Sequence, residues 1–188
     1  MEWIPEIRIG WLNGWIPLGL LTLTDMIMFL IFPKDVVARL FDRSGWSQRQ
    51  IVFTVIGKLS ALVGLALLFC TPMKIDSTVF RVGFAVIGLG LIGLVKALFD
   101  FKNTPISEPV TRGIYKVSRH PQIVMSTVVL LGGSIAIGSW SALLSLTVAR
   151  VFSHFGILAE EEVCLEQYGD DYRSYLNRVP RYFLFFKF

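Results

Sequence analysis

The sequence predicts an all-α integral membrane protein of about five transmembrane helices, and three observations carry that prediction. Of its 188 residues, 54% are hydrophobic, and the mean hydropathy of +0.62 exceeds what a water-soluble globule of this size normally carries. The apolar residues are gathered into long runs at 14–32, 50–71, 78–99, 123–138 and 140–158; a crossing needs about 18 mostly apolar residues for a hydrocarbon core of roughly 30 Å, and the fourth run is short by that measure. The cations fall in alternate loops. With the N-terminus outside, inner segments hold 13 of the 18 Lys and Arg, outer segments hold only Arg8, Lys74 and Arg81, and Lys58 and Arg150 lie within spans. The positive-inside rule therefore places the N-terminus outside and the C-terminus in the cytosol. The net charge of +4 then reflects topology and anionic headgroups, and implies no nucleic-acid partner.

The chain reads as one membrane domain over 1–188, with three N-terminal spans in 1–100 and a core in 101–188. The first run stays in place as a span. The residues before it are acidic as well as basic, and no small-residue cleavage site follows a short apolar core, so a signal peptide is not indicated. Asp25 in the first run and Lys58 in the second each cost about 2.5–3.5 kcal/mol if they face lipid. Both lie seven residues inside their cytosolic ends, about 10 Å deep at 1.5 Å per residue. The favoured reading is an ion pair that fixes the first two helices; the other is a substrate-facing role.

The third run contains "GLGLIG", with Gly88, Gly90 and Gly93 at the spacing of a dinucleotide-binding loop. That motif works only between a strand and a helix N-terminus, where bare amides meet a pyrophosphate. Inside a span those amides are already used by the helix, so small residues for close helix contact are the better reading. Ser60 and Gly64 in the second run invite the same interpretation. The fourth and fifth runs are separated only by Ser139 and should form a tight helical hairpin. Cys70 and Cys164 fall near opposite ends of the membrane, which predicts no disulfide, and no cluster has metal-ligand spacing.

Polar chemistry gathers around the last two runs. The loop before the fourth reads "NTPISEPVTRGIYKVSRHPQIV" at 103–124. Taken alone, Arg119 and His120 are adequate positive-inside anchors and Pro121 an ordinary first-turn residue. A proline there also leaves nearby amides free and directs positive dipole at whatever precedes it. On the fifth run, Arg150, His154 and Glu161 project within about 40° of one another at 100° per residue, with Glu160 and Glu162 beside them. Snorkelling accounts for His154 and the glutamates but is strained for Arg150, about two turns deeper.

Beyond the fifth run comes "EEEVCLEQYGDDYRSYLNRVPRYFLFF" at 160–186. The helix should continue into the cytosol until Gly169 breaks it; Asp170 and Asp171 then start a short interfacial helix that Pro180 ends. Tyr168, Tyr172 and Tyr175 lie at i, i+4 and i+7, a spacing that favours an amphipathic helix with its aromatic face down among headgroups. The "YFLFF" stretch would then return to the membrane surface.

In order, Val110, Thr111, Gly113, Tyr115, Arg119, His120 and Pro121, then Glu160, Glu161, Tyr168, Gly169, Tyr172, Tyr175, Val179 and Pro180, resemble the isoprenylcysteine carboxyl methyltransferase and phospholipid methyltransferase superfamily. The likeness covers roughly residues 105–183. It implies a membrane-embedded methyltransferase without a Rossmann domain, using S-adenosylmethionine and releasing S-adenosylhomocysteine. It also implies a tunnel open to the bilayer for a lipid or other lipophilic acceptor. Residue by residue, it assigns cofactor contact to Tyr115, His120, Pro121, Glu160 and Glu161, with Arg119, Tyr172, Tyr175 and Arg178 in support. One position departs from the family pattern: Ile123 stands where a tyrosine is common.

The acceptor stays open between a carboxylate, an amine and a thiol of a lipid or prenyl-type compound. Arg150 is the catalytic candidate for placing an anionic nucleophile, and His154 for taking a proton from an amine. Two other functions fit the same spans. An enone- or sterol-type reductase would bind NADPH, and a non-catalytic scaffold would keep the fold without turnover; the paired glutamates and the "YGDDYRSYLNRVP" tail favour the methyltransferase.

Overall fold

In the computed structural model, which describes residues 1–41 and 47–183, the described chain is all helical apart from two isolated bridges. The helices are α1 (Trp15–Ile31), α2 (Lys34–Phe41), α3 (Gln48–Cys70), α4 (Thr78–Lys102), α5 (Pro121–Ala136) and α6 (Trp140–Arg178), with a 3-10 turn at Gly113–Lys116. Three of them, α3, α4 and α6, are long and apolar enough to cross a membrane, while α1 and α5 are shorter apolar helices. All five predicted runs are therefore helices. Their lipid-side character shows in large apolar residues left bare, such as Leu89 at 68% and Ile92 at 72% exposure on α4, which a bilayer tolerates and water does not.

Local chemistry fixes the helix boundaries. Ser47 and Gln50 form a reciprocal capping box at the start of α3. Ser77 accepts from the Phe80 amide to open α4, and Ser139 accepts from the Ala142 amide to open α6. Each satisfies an amide that would otherwise be orphaned at a helix start. Pro121 sits in the first turn of α5, where a missing N–H costs nothing. α6 runs on well beyond the predicted span, and Gly169 (φ 54°, ψ −128°) is its one non-helical residue before it resumes to Arg178.

Helix α2 has no counterpart in the sequence prediction, where those residues form only an inner, cation-bearing loop. Its buried Val36 joins Met28 and Phe32 from the α1 end and Leu94 and Leu98 of α4 in one apolar cluster. The helix therefore folds back under the first crossing.

Small residues set the two main helix pairings, α4 with α5 and α3 with α6. A Cβ on Gly83 would lie 2.6 Å from the Gly132 carbonyl oxygen, and one on Gly90 2.8 Å from the Val129 amide nitrogen. On the other pairing, Ser60 donates to the Ser145 carbonyl at 3.0 Å. The close-contact reading holds for Gly90. At Gly88 a methyl group would meet nothing within 4 Å, so that glycine faces open space.

The expected Asp25–Lys58 pair does not form: no ion pair joins them among the described residues. Lys58 is exposed, because the neighbouring Gly57 is the position turned onto α6, against Phe152 and Ala149. Cys70 and Cys164 are both free thiols.

The loops sort to two ends. At one, the Glu2 amide donates to Gly138, the Trp140 amide to Glu2, and the Lys74 amide to Ala136, so the N-terminal segment, the α3–α4 connection and the hairpin turn lie together. The α4–α5 loop and the C-terminal segment lie together at the other, where the Arg119 amide donates to Pro180. Of the stretch expected to return to the membrane surface, residues 184–186 lie outside the described residues.

Substitution of Gly90 by Ala should destabilise the protein by about 1–3 kcal/mol through overpacking against α5. Gly88→Ala should be neutral or slightly stabilising, since a helical glycine gains from a methyl group with room to sit. Thermal unfolding of both variants in one detergent checks the contrast.

Candidate functional site

The α4–α5 loop is held at its base by Asp100, whose carboxylate accepts the Ile114 amide at 2.9 Å and pairs with Lys96 at 2.7 Å. Gly113, at φ +58°, passes directly over that carboxylate, where any Cβ would collide with it. Only glycine combines this left-handed turn with so close an approach. The 3-10 turn that follows buries Tyr115, and the Tyr115 carbonyl accepts the Tyr175 hydroxyl at 2.7 Å.

From there the loop meets the C-terminal segment along its backbone. The Arg119 amide donates to the Pro180 carbonyl, and the Ser118 hydroxyl donates to the Arg181 carbonyl at 3.1 Å. Next comes His120, the residue before the first turn of α5. Its Nε2 lies 3.2 Å from Glu161 Oε1, and its Nδ1 lies 3.6 Å from Glu160 Oε2. The imidazole thus stands between the two glutamates of α6.

Glu161 is the most heavily engaged group in the region. Arg119 Nη1 is 3.1 Å from Oε1, Arg181 Nε donates to both oxygens at 3.0 and 3.1 Å, and Arg181 Nη2 donates to Oε2 at 2.7 Å. Burial alone would raise this carboxyl. The hydrogen bonds from His120 and Arg181 and the charges of His120 and Arg119 outweigh burial and hold it at about 2, so it is ionised at neutral pH.

In front of this cluster lies a cavity of about 260 Å³. Of the residues predicted for a cofactor, Tyr115, Arg119, His120, Glu160, Tyr172 and Tyr175 line it, together with Ile123. Three others do not. Pro121 is buried behind its neighbours, Glu161 sits behind the wall with its oxygens engaged, and Arg178 lines a separate open recess with Glu108 and Asp171. Tyr172 and Tyr175 are only 5% and 3% exposed, so the lipid-facing aromatic stripe is overturned: the Tyr115 carbonyl and the cavity draw these rings inward. Burial raises the pKa of both phenols, and they remain neutral. Cys164, also in the wall, is pushed by burial and by the nearby Glu160 charge to about 11, which makes it an inert thiol at neutral pH.

Four contributors escape a reading of the sequence. Arg39 of α2 lines the cavity, donating to the Glu108 carbonyl and the Tyr168 hydroxyl, both at 2.9 Å. Gln122 also lines it, with an Nε2 that is buried and without a hydrogen-bond partner among the described residues. Arg181 and Tyr182 belong to the tail. No signal in the sequence marks Arg39 or Gln122. Arg181 is legible only as a cation next to Pro180.

The catalytic candidates lie off the cavity lining. His154 Nδ1 is 2.7 Å from the Tyr182 hydroxyl. Arg150 keeps a buried Nε without a hydrogen-bond partner among the described residues.

Residues 82–171 match the phospholipid methyltransferase family. The match runs from within α4 to just past Gly169, taking in the α4–α5 loop, α5 and the two glutamates, and it supports a membrane methyltransferase. No curated protein matches the chain.

The low position of Glu161 sets an acid limit on this corner. A carboxyl lowered on folding from 4.5 to about 2 contributes stability that is complete above the unfolded value and is lost as pH falls through the folded one. The stability advantage of the native chain over Glu161→Gln should therefore be constant from pH 7 to about 5, then shrink steadily below about 4.5. Thermal unfolding of the two proteins across that range measures it.

Proposed function

Taking as premise that residues 82–171 carry a phospholipid methyltransferase domain, we propose that this protein transfers a methyl group from S-adenosylmethionine to a lipophilic acceptor drawn from the bilayer. The observation that carries this reading is the convergence of His120 and Glu160, 3.6 Å apart, on one cavity at the end of the membrane helices. In the orientation favoured by the cation distribution, that end faces the cytosol, the source of the water-soluble donor.

The residues present suit such a donor. S-adenosylmethionine supplies an activated methyl on a sulfonium, and it carries an ammonium, a carboxylate, ribose hydroxyls and an adenine. Glu160 offers a carboxylate to the cationic groups. Gln122, with its buried amide, and Arg39, Arg119 and His120 offer donors to the anionic and hydroxyl groups. The buried rings of Tyr115, Tyr172 and Tyr175 form an apolar wall that excludes water and accommodates a flat heterocycle. Ile123 widens the apolar part of that wall where related proteins commonly place a tyrosine.

Displacement at carbon is mostly a problem of alignment. Holding acceptor and donor at about 3–3.5 Å contributes on the order of 7–11 kcal/mol to the rate. On the acceptor side, Arg150 would place an anionic nucleophile from within the membrane, while His154, held by Tyr182, would take the proton of an amine. Between them they cover the carboxylate, thiolate and amine chemistries.

Purified protein in lipid nanodiscs, incubated with methyl-labelled S-adenosylmethionine and a total lipid extract, should move label into one lipid fraction. His120→Ala and Glu160→Gln should each lose at least 90% of that transfer, and Glu160→Gln, which leaves the contacts of Glu161 intact, should unfold at a temperature close to that of the native protein. Saturable NADPH binding without any S-adenosylmethionine binding would instead select the reductase.

A further inference from the structure

We infer that Glu161 and Arg181 act together as a positioning device, holding the Arg119–His120 corner of the cavity in place from behind without touching the cofactor. Arg119 and His120 line the cavity, whereas neither Glu161 nor Arg181 does. Both Glu161 oxygens are occupied, by Arg119 and His120 from the loop and by Arg181 from the tail. The carboxylate has little left to offer a ligand ammonium, while the neighbouring Glu160 faces the cavity.

Geometry gives Arg181 two grips on the same corner. Its side chain makes a two-nitrogen fork on Glu161, the arrangement that fixes direction as well as distance. Its own carbonyl accepts the Ser118 hydroxyl, and Ser118 Oγ in turn accepts the His120 amide at 3.2 Å. Side chain and backbone therefore both reach His120, the first through Glu161 and the second through Ser118. Glu161, Arg119 and His120 are nearly dry, with side-chain exposures of 8%, 8% and 10%, while Arg181 closes over them at 23%. Without Glu161, two guanidinium groups would face each other with no counter-charge. Arg181 lies beyond the family match, which ends at residue 171, so the tail supplies a part of the site that the matched segment lacks.

This inference uses the proposed donor as its probe, and one readout is independent of it. Binding of S-adenosylhomocysteine to the full-length protein should weaken about tenfold in Arg181→Met and by a similar factor in Glu161→Gln. The double variant should be no weaker than either single, because the two residues act through one contact. Arg181→Lys, which keeps the charge but loses the two-nitrogen fork, should recover only part of the affinity. The imidazole nitrogen signals of His120, read by NMR on histidine-labelled protein, should shift in Arg181→Met with no ligand present. The idea is overturned if Arg181→Met leaves those signals unchanged, or if the Glu161 and Arg181 effects multiply. A native protein that binds no S-adenosylhomocysteine would remove the proposed donor, and the His120 signals would still decide the positioning role.

Discussion

A carboxylate removed from water must be compensated on each oxygen, and Glu161 meets that requirement with side chains 41 residues before it and 20 residues after it in sequence. Breaking one side of such a buried arrangement costs about 3–5 kcal/mol. The α4–α5 loop, the C-terminal half of α6 and the C-terminal segment are consequently tied at one point. The cavity exists where it does because that point lies immediately behind it. The Tyr175–Tyr115 hydrogen bond and the Arg119–Pro180 backbone contact extend the same seam along its length.

The bilayer supplies the other constraint. Lipid tails are as apolar as leucine, so helices gain little by hiding large side chains from them, and association rests on close van der Waals approach. Gly83, Gly90 and Gly132 provide that approach between α4 and α5, while Leu89 and Ile92 of α4 remain on the outside. Two helix lengths then do the positioning. α5 starts at Pro121 and so presents His120 at the membrane edge, and α6 continues past the crossing and delivers Glu160 and Glu161 to the same level.

Much of the fold is legible in the sequence because its signals are local. Apolar runs, a proline in a first turn and a glycine break each act within a few residues, and the spans read from the apolar runs match the helices to within a few residues at most ends. The motif residues are legible for another reason: their order resembles a family, and the phospholipid methyltransferase family matches residues 82–171. The unread parts are those in which the partner is distant. α2 is too short to register as a run, Arg39 looks like any loop cation, and the tyrosines have the spacing of a surface helix. The Asp25–Lys58 pairing fails because depth along two helices says nothing about which faces meet.

The sequence by itself determined that the chain lives in a bilayer, which runs become its long helices and roughly where each begins and ends, since hydropathy is a property of contiguous residues. Only the tertiary structure decided that two helix pairings bring the loop and tail to one end, that the tyrosines turn inward, and that Arg181 closes on Glu161. Those outcomes depend on rotation and approach between segments far apart in the chain, and a buried charge chooses its partners by what packing places within about 3 Å of it.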